Sequence, residues 1–141
     1  MAGTLDRLLR LRQHAVEQAR RELLSRRAME AERQVALNGL REQAERDATA
    51  TLPLVAADPW FAILAAQGRQ AARQHQEAAR QLADAAARWA ETARDELAAA
   101  KVAAEIVLTI AAERRASQSV RDRACENALL LEAILHETGA G

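Results

Sequence analysis

The sequence predicts an all-α fold, an antiparallel two-helix coiled-coil hairpin in which the C-terminal helix is longer. Apolar residues recur every seven positions on both sides of a single interruption, as they do along the seam of a coiled coil. The interruption contains Pro53 and Pro59, which lack the backbone N–H that a helix interior requires. Half of the 141 residues are hydrophobic but only 2% are aromatic. This composition is typical of long helices and coiled coils rather than of a conventional globular core.

The first helix is predicted over about residues 4–50, with Thr4 as its N-cap. Its main seven-residue series consists of Leu9, Val16, Leu23, Leu37 and Ala44, and is interrupted by Glu30. A second series consists of Leu5, Ala19 and Leu40, with Arg12, Arg26 and Arg33 between them. The pattern predicts a seam with polar interruptions, along which arginine stems lie while their charged ends stay in water.

The turn is predicted over about residues 48–58. Asp58 followed by Pro59 is typical of a helix start, with a capping carboxylate and proline at the first helical position. Several large apolar residues surround the turn: Leu52, Leu54, Val55, Trp60, Phe61, Ile63 and Leu64. We favour the interpretation that they fold back and close the end of the coiled coil. The alternative is that some are exposed for a partner.

The second helix is predicted over about residues 59–137. One seven-residue series comprises Leu82, Trp89, Ala103, Ile110, Ala124 and Leu131, with Glu96 and Ser117 as interruptions. Its companion series comprises Ala86, Ala93, Ala100, Val107, Ala128 and Leu135. Together they predict the face that packs against the first helix.

Pairing the helices outward from the turn places residue i opposite approximately residue 108 − i. Leu5, Leu9, Leu23 and Leu37 then face Ala103, Ala99, Ala85 and Ala71, and Trp89 faces Ala19. Large residues opposite small ones favour close packing. Residues beyond about 105 have no partner in the first helix although many are apolar, so this overhang requires another protein or a second copy of the chain.

Catalytic chemistry has little support in the sequence. His14, His75 and His136 lie far apart, and Cys125 has no paired base and is expected to be a half-buried structural residue. We therefore expect no enzyme activity, no metal and no cofactor. Twenty basic residues balance twenty acidic ones, which argues against nucleic-acid binding. The sequence shows no signal-peptide pattern and no apolar run long enough for a membrane span, and a cytoplasmic location is expected.

The layout resembles the FliJ family of flagellar type III export proteins. The resemblance rests on the opening LDRLLRLRQHAVEQARREL, the break near residue 50, the restart PWF and the closing RRASQSVRDRACENALLLEAI. The YscO group of injectisome stalk proteins is a near neighbour. The chain is richer in alanine than is usual for the FliJ family.

The resemblance implies a stalk protein without enzyme activity that sits in a hexameric export ATPase ring. It also implies contacts with the membrane export-gate protein and with export chaperones, at the inner face of the cell membrane. By position, the gate contact falls on Trp60, Phe61 and Leu64.

The terminal end of the predicted hairpin suits the bore of a ring, because arginines there surround apolar residues and can pair with acidic loops. The candidate contacts are Arg7, Arg10, Arg12, Ile110, Arg114, Arg115, Arg121, Arg123 and Leu131. Two other interpretations stay open. The overhang could pair with a second copy, or the chain could be a cytoplasmic coiled-coil scaffold without an export role.

Overall fold

The computed structural model describes residues 2–139, and this part of the chain is two long helices. Helix α1 spans Ala2–Ala57 and α2 spans Pro59–Gly139. The two helices pack against each other, and every buried side chain among the described residues is apolar. The all-α prediction is confirmed.

Asp58 is the single residue between the helices. Its backbone N–H donates to the Leu54 carbonyl at 3.1 Å, which completes the last turn of α1. Its carboxylate Oδ1 accepts from the Trp60 backbone N–H at 3.0 Å, and its carbonyl accepts from the Phe61 N–H at 3.1 Å. Asp58 thus satisfies backbone donors that the start of a helix leaves free, which confirms the predicted N-cap and the start of α2 at Pro59.

The end predicted for the first helix is wrong, because α1 continues through Pro53 to Ala57. The proline removes one backbone donor, but the threonines nearby do not turn the chain. Thr49 Oγ1 donates to the Glu45 carbonyl at 3.0 Å, and Thr51 Oγ1 donates to the Ala48 carbonyl at 3.1 Å. Hydroxyls bonded to the preceding helical turn are compatible with a continuous helix. The predicted ten-residue turn is therefore one residue.

The predicted seam of α1 coincides with its protected face. Leu23 and Leu37 are buried, and the remaining members of the main series are half-buried: Leu9, Val16, Glu30 and Ala44. Thr51 extends the series by one more heptad. Of the second series, Leu5, Ala19 and Arg26 are half-buried while Arg12, Arg33 and Leu40 are exposed.

On α2, one of the two predicted series packs as far as Val107, while its members Ala128 and Leu135 are exposed; of the other series only Ala103 is half-buried. Ala86, Ala93 and Val107 are buried, and Ala100 between them is half-buried. The companion of this series is not Leu82, Trp89 and Ile110, all of which are exposed. It lies one position further on, at Ala83, Ala90, Leu97, Ala104 and Ala111. Alanine is small enough to let two helix backbones approach, so the larger residues are displaced to the edge of the contact.

The contact between Arg26 and Trp89 reveals the register. The Arg26 guanidinium carbon lies 5.4 Å from the centre of the Trp89 ring, and its Nε donates to Glu22 at 2.8 Å. The two residue numbers add up to 115, so residue i lies opposite approximately residue 115 − i rather than 108 − i. Trp89 therefore does not face Ala19. The correction is one heptad, a shift that by itself changes every facing partner without changing which series face each other.

The overhang is consequently shorter than predicted. Val107 and Ala111 are buried, although both lie beyond residue 105. All residues from Ala112 to Gly139 are exposed. We call residues 112–139 the extension.

The chain divides into two units. One unit comprises Glu17–Ala98, and its core consists of Leu23, Leu37, Ala83, Ala86, Ala90 and Ala93. The other comprises Met1–Val16 and Ala99–Gly141, and contains the buried Val107 and Ala111. Residues 1, 140 and 141 lie outside the described part of the chain. A single coiled-coil domain over residues 1–141 stays a prediction.

Candidate interaction surfaces

Large apolar side chains around Asp58 are exposed rather than folded into a closed end. Of the seven identified in the sequence, only Val55 is half-buried; the exposed ones are Leu52, Leu54, Trp60, Phe61, Ile63 and Leu64. No residue from Asn38 to Leu82 is buried. The interpretation that these residues close the end of the packed helices is therefore wrong.

A groove of about 740 Å³ lies between the two helices beside this end of the Glu17–Ala98 unit. Phe61 and Leu64 line it from α2, and Thr51 and Leu54 line it from α1. Small residues continue the lining away from Asp58: Ala44, Ala48, Ala65, Gly68 and Ala72. They leave the space between the helices unfilled, because their side chains do not reach across it.

The predicted tip residues are therefore divided between two environments. Phe61 and Leu64 line the groove, whereas Trp60 does not and lies exposed beside it. Arginines and acids also line the groove at its end away from Asp58: Arg41, Glu45, Arg69 and Arg73. A binding segment that places apolar side chains near Phe61 can therefore also reach charged groups along the same groove.

The nine residues predicted to contact the ATPase ring all belong to the unit of Met1–Val16 and Ala99–Gly141, and all nine are exposed. Extending the register of Arg26 and Trp89 along both helices places Arg7 opposite about residue 108 and Arg12 opposite about residue 103. In this register Arg7, Arg10 and Arg12 fall at the heights of about residues 103–108, within the last packed turns of α2. The remaining candidates lie on the extension: Arg114, Arg115, Arg121, Arg123 and Leu131.

The arginines of the extension form no salt bridge within the described residues, and most arginines nearer the packed core form none either. Within residues 2–139 the salt bridges join Glu17 to Arg20 and Arg21, Glu22 to Arg26, and Arg80 to Glu77 and Asp84. None of these salt bridges includes Arg114, Arg115, Arg121 or Arg123. The guanidinium groups of the extension are therefore available to an acidic partner.

Groups with catalytic potential are dispersed. His14, His75 and His136 are exposed, and Cys125 is exposed as well, so the prediction that this cysteine is half-buried is wrong. Within the described residues, no three His, Cys, Asp or Glu side chains are grouped in a way that could hold a metal ion. The same residues contain no helical stretch of the length and apolarity that a membrane crossing requires.

The groove was not found from the sequence. It depends on small residues at neighbouring heights of both helices, and the spacing along one helix does not reveal that these positions coincide. The exposure of residues 112–139 agrees with the predicted overhang, whereas the burial of Val107 and Ala111 within that overhang does not. Comparison with known proteins adds no identification: no family model, no curated protein and no solved structure matches the chain.

Proposed function

We propose that this protein is a non-enzymatic component of the flagellar type III export apparatus, with an antiparallel two-helix coiled-coil hairpin as its fold. In this role it acts as a central stalk in the ring of the export ATPase. It links the ring to the membrane export gate and to substrate chaperones, from the cytoplasmic side of the cell membrane. The observation that carries the proposal is that α2 packs against α1 along most of its length and then continues as an extension that bears four arginines and has no packing partner in the described part of the chain.

Heptad-spaced burial supports the stalk part of the proposal. Protected residues recur every seven positions on α1 from Leu9 to Thr51, and on α2 from Ala65 to Val107. A coiled coil transmits force or position along its axis because its side chains interlock over many turns. The polar faces of both helices are exposed, so a surrounding ring can contact them.

The extension supports the contact with an ATPase. It projects four arginines without acidic partners in the described chain, next to exposed apolar residues such as Val120 and Leu131. Guanidinium groups bind carboxylates in bidentate geometry, which favours acidic loops as partners. Arg7, Arg10 and Arg12 supply further positive charge on α1.

The residues around Asp58 support the contact with an export gate. Trp60, Phe61 and Leu64 give the opposite end of α2 a group of exposed large apolar side chains beside the groove. Aromatic anchors that enter a partner's pocket contribute a large share of binding energy at protein interfaces. The start of α2 therefore offers exposed aromatic side chains, whereas residues 114–123 offer four arginines.

The ring contact is tested with purified export ATPase and a double variant, Arg114→Ala with Arg115→Ala. Each lost charge-assisted hydrogen bond contributes about 1.5–3 kcal/mol, so we expect binding to weaken by about tenfold or more for each arginine that contacts the ring. Stimulation of ATP hydrolysis should fall in parallel. The measurements are ATPase rates and affinity by surface plasmon resonance.

The matched control is Arg69→Ala with Arg73→Ala, two exposed arginines at the other end of α2. This control should keep both ATPase stimulation and affinity. If wild-type protein neither binds nor stimulates the flagellar ATPase, the stalk proposal is wrong. Stimulation of an injectisome ATPase alone would assign the chain to the related secretion system.

The gate contact is tested with Trp60→Ala combined with Leu64→Ala. Loss of an aromatic anchor costs about 2 kcal/mol at an interface, so affinity for the export-gate protein should fall by about thirtyfold. The melting temperature should change little, because both side chains are exposed. Isothermal calorimetry and circular dichroism measure the two quantities.

A control with Leu24→Ala and Val35→Ala removes two exposed apolar residues far from Asp58. It should leave gate binding unchanged. A marked drop in melting temperature for the Trp60 and Leu64 variant would place these residues in the protein's own packing and contradict the proposed gate contact.

A further inference from the structure

The extension carries a heptad pattern of its own. Its four apolar members follow one another at alternating intervals of four and three residues: Ala124, Ala128, Leu131 and Leu135. We call this set the outer stripe. Every member is exposed in the single chain. Apolar residues in this spacing form the surface that one helix offers to another in a coiled coil.

The outer stripe does not simply continue the packed seam of α2. The seam combines the seven-residue series of Val107 with that of Ala111, and both of these residues are buried. In the extension the Ala111 series loses its small apolar residues and continues as Gln118, Cys125 and Glu132. Its place is taken by the series of Ile110, which lies one position earlier and about 100° around the helix. The extension therefore offers a different face from the one that packs on α1.

The charges of the extension show which orientation of a second helix fits. Residues 113–123 contain four arginines and two acids, a net charge of +2. Residues 124–139 contain three glutamates and no lysine or arginine, a net charge of −3 with neutral histidine. A parallel pair of identical helices places every glutamate at the height of its own copy. An antiparallel pair avoids this stacking of like charges, because the three glutamates then lie at different heights from the glutamates of the second copy.

We propose that residues 120–139 pair with the same segment of a second copy of the chain in an antiparallel, two-fold symmetric helix pair. When the residue numbers of facing positions add up to 259, Ala124 lies opposite Leu135 of the second copy and Ala128 lies opposite Leu131. Each small residue of the stripe then meets a large one, so the layers interlock without voids. A parallel pair instead places alanine on alanine and leucine on leucine.

Two arginines flank the one approach of like charges in this register. Glu137 lies at the height of Asp122 of the second copy, which is preceded by Arg121 and followed by Arg123, and symmetry repeats this arrangement at the other end. Glu126 lies at the height of Ala133 of the second copy, and Glu132 lies at the height of Asn127 of that copy, so neither glutamate faces a charged residue. The paired segment has 20 residues and a length of about 30 Å. The inference does not rest on the export function. Because pairing covers Leu131, the paired chain and the chain bound in the ATPase ring are separate states.

The first test compares two leucines that are similarly exposed in the single chain, Leu131 at 61% and Leu129 at 65%. Leu129 lies two residues away on the opposite side of the helix from the outer stripe. Sedimentation equilibrium at about 100 µM, where a dimer with a Kd near 1 µM is nearly complete, should give wild type twice the chain mass of 15.4 kDa. Leu131→Glu should return the mass to one chain, because a carboxylate enters the interface. Leu129→Glu should remain a dimer.

A monomeric wild type would overturn the proposal and leave the outer stripe to a different protein. Equal dissociation by Leu131→Glu and Leu129→Glu would overturn it too, because the contact would then not follow the stripe. Circular dichroism of both variants should match wild type in helix content. If Leu131→Glu loses helix throughout, Leu131→Ala gives the comparison with a milder change.

The second test determines orientation by disulfide trapping in a Cys125→Ser background. A chain that carries both Ala124→Cys and Leu135→Cys should form a covalent dimer on mild oxidation, since these positions face each other across the pair. Each single variant should stay monomeric on a denaturing, non-reducing gel, because its two copies lie about 16 Å apart along the axis. Trapping by either single variant would indicate a parallel pair. That result, or failure of the double variant to trap, would overturn the antiparallel arrangement.

Discussion

Replacing Leu23 by aspartate is expected to lower the free energy of unfolding by about 3 kcal/mol or more. Burying a leucine contributes about 1.5–3 kcal/mol, and that contribution is lost. The new carboxylate must in addition leave water, or the helices must separate around it. Leu23 is only 8% exposed and falls opposite approximately residue 92, between the buried Ala90 and Ala93. Urea unfolding followed by circular dichroism measures the change.

The adjacent residue gives a matched control, since Leu24 is 67% exposed. Leu24→Asp should change stability by no more than about 0.5 kcal/mol, as is usual for exposed positions. If the two aspartate variants were equally destabilised, the main series of α1 would not be the packed face. The same comparison therefore tests the seam and the local helix orientation together.

Enlarging an alanine on α2 is expected to have the next largest effect. Ala86 is 2% exposed, so a leucine side chain at this position has no space unless the helices move apart. Overpacking of this kind costs about 1–3 kcal/mol. Ala86→Leu should accordingly lower the urea midpoint of unfolding, even though leucine favours helix almost as well as alanine does.

Ala87→Leu is the control for this substitution, because Ala87 is exposed on the same turn of α2. Its stability should stay close to that of wild type. Should Ala86→Leu be neutral as well, the two helices would not approach closely at this level. A role for alanine in close packing would then have to be abandoned.

The packed face of α1 was predictable because its large residues are rare and regularly spaced. Leu9, Val16, Leu23 and Leu37 stand out among charged neighbours, and no other seven-residue series on this helix contains four leucines or valines. On α2 alanine occupies many positions, so several stripes are equally small. Leu82 and Trp89 then suggested a seam by their size, whereas close packing selects the smaller Ala83 and Ala90.

The candidate surfaces could be predicted only in part. The exposed arginines of the extension and Trp60 beside Asp58 were identifiable by residue type and position. The sequence did not reveal which candidate residues lie close together, because the register decides which α1 residues lie next to Ile110. The groove lined by Phe61 and Leu64 likewise required knowledge of both helices, since neither helix forms a concave surface alone.

The amino-acid sequence by itself determined the two helices, the start of the second at Asp58 and Pro59, and the packed face of the first. These properties depend on neighbours within one or two helical turns: a capping carboxylate, a missing N–H and a heptad of large residues. Only the tertiary structure decided that facing residue numbers add up to about 115 rather than 108, and that α2 packs through alanine. These outcomes depend on how closely two backbones approach and on which side chains fit between them, because a shift by one heptad preserves every local preference while changing every partner.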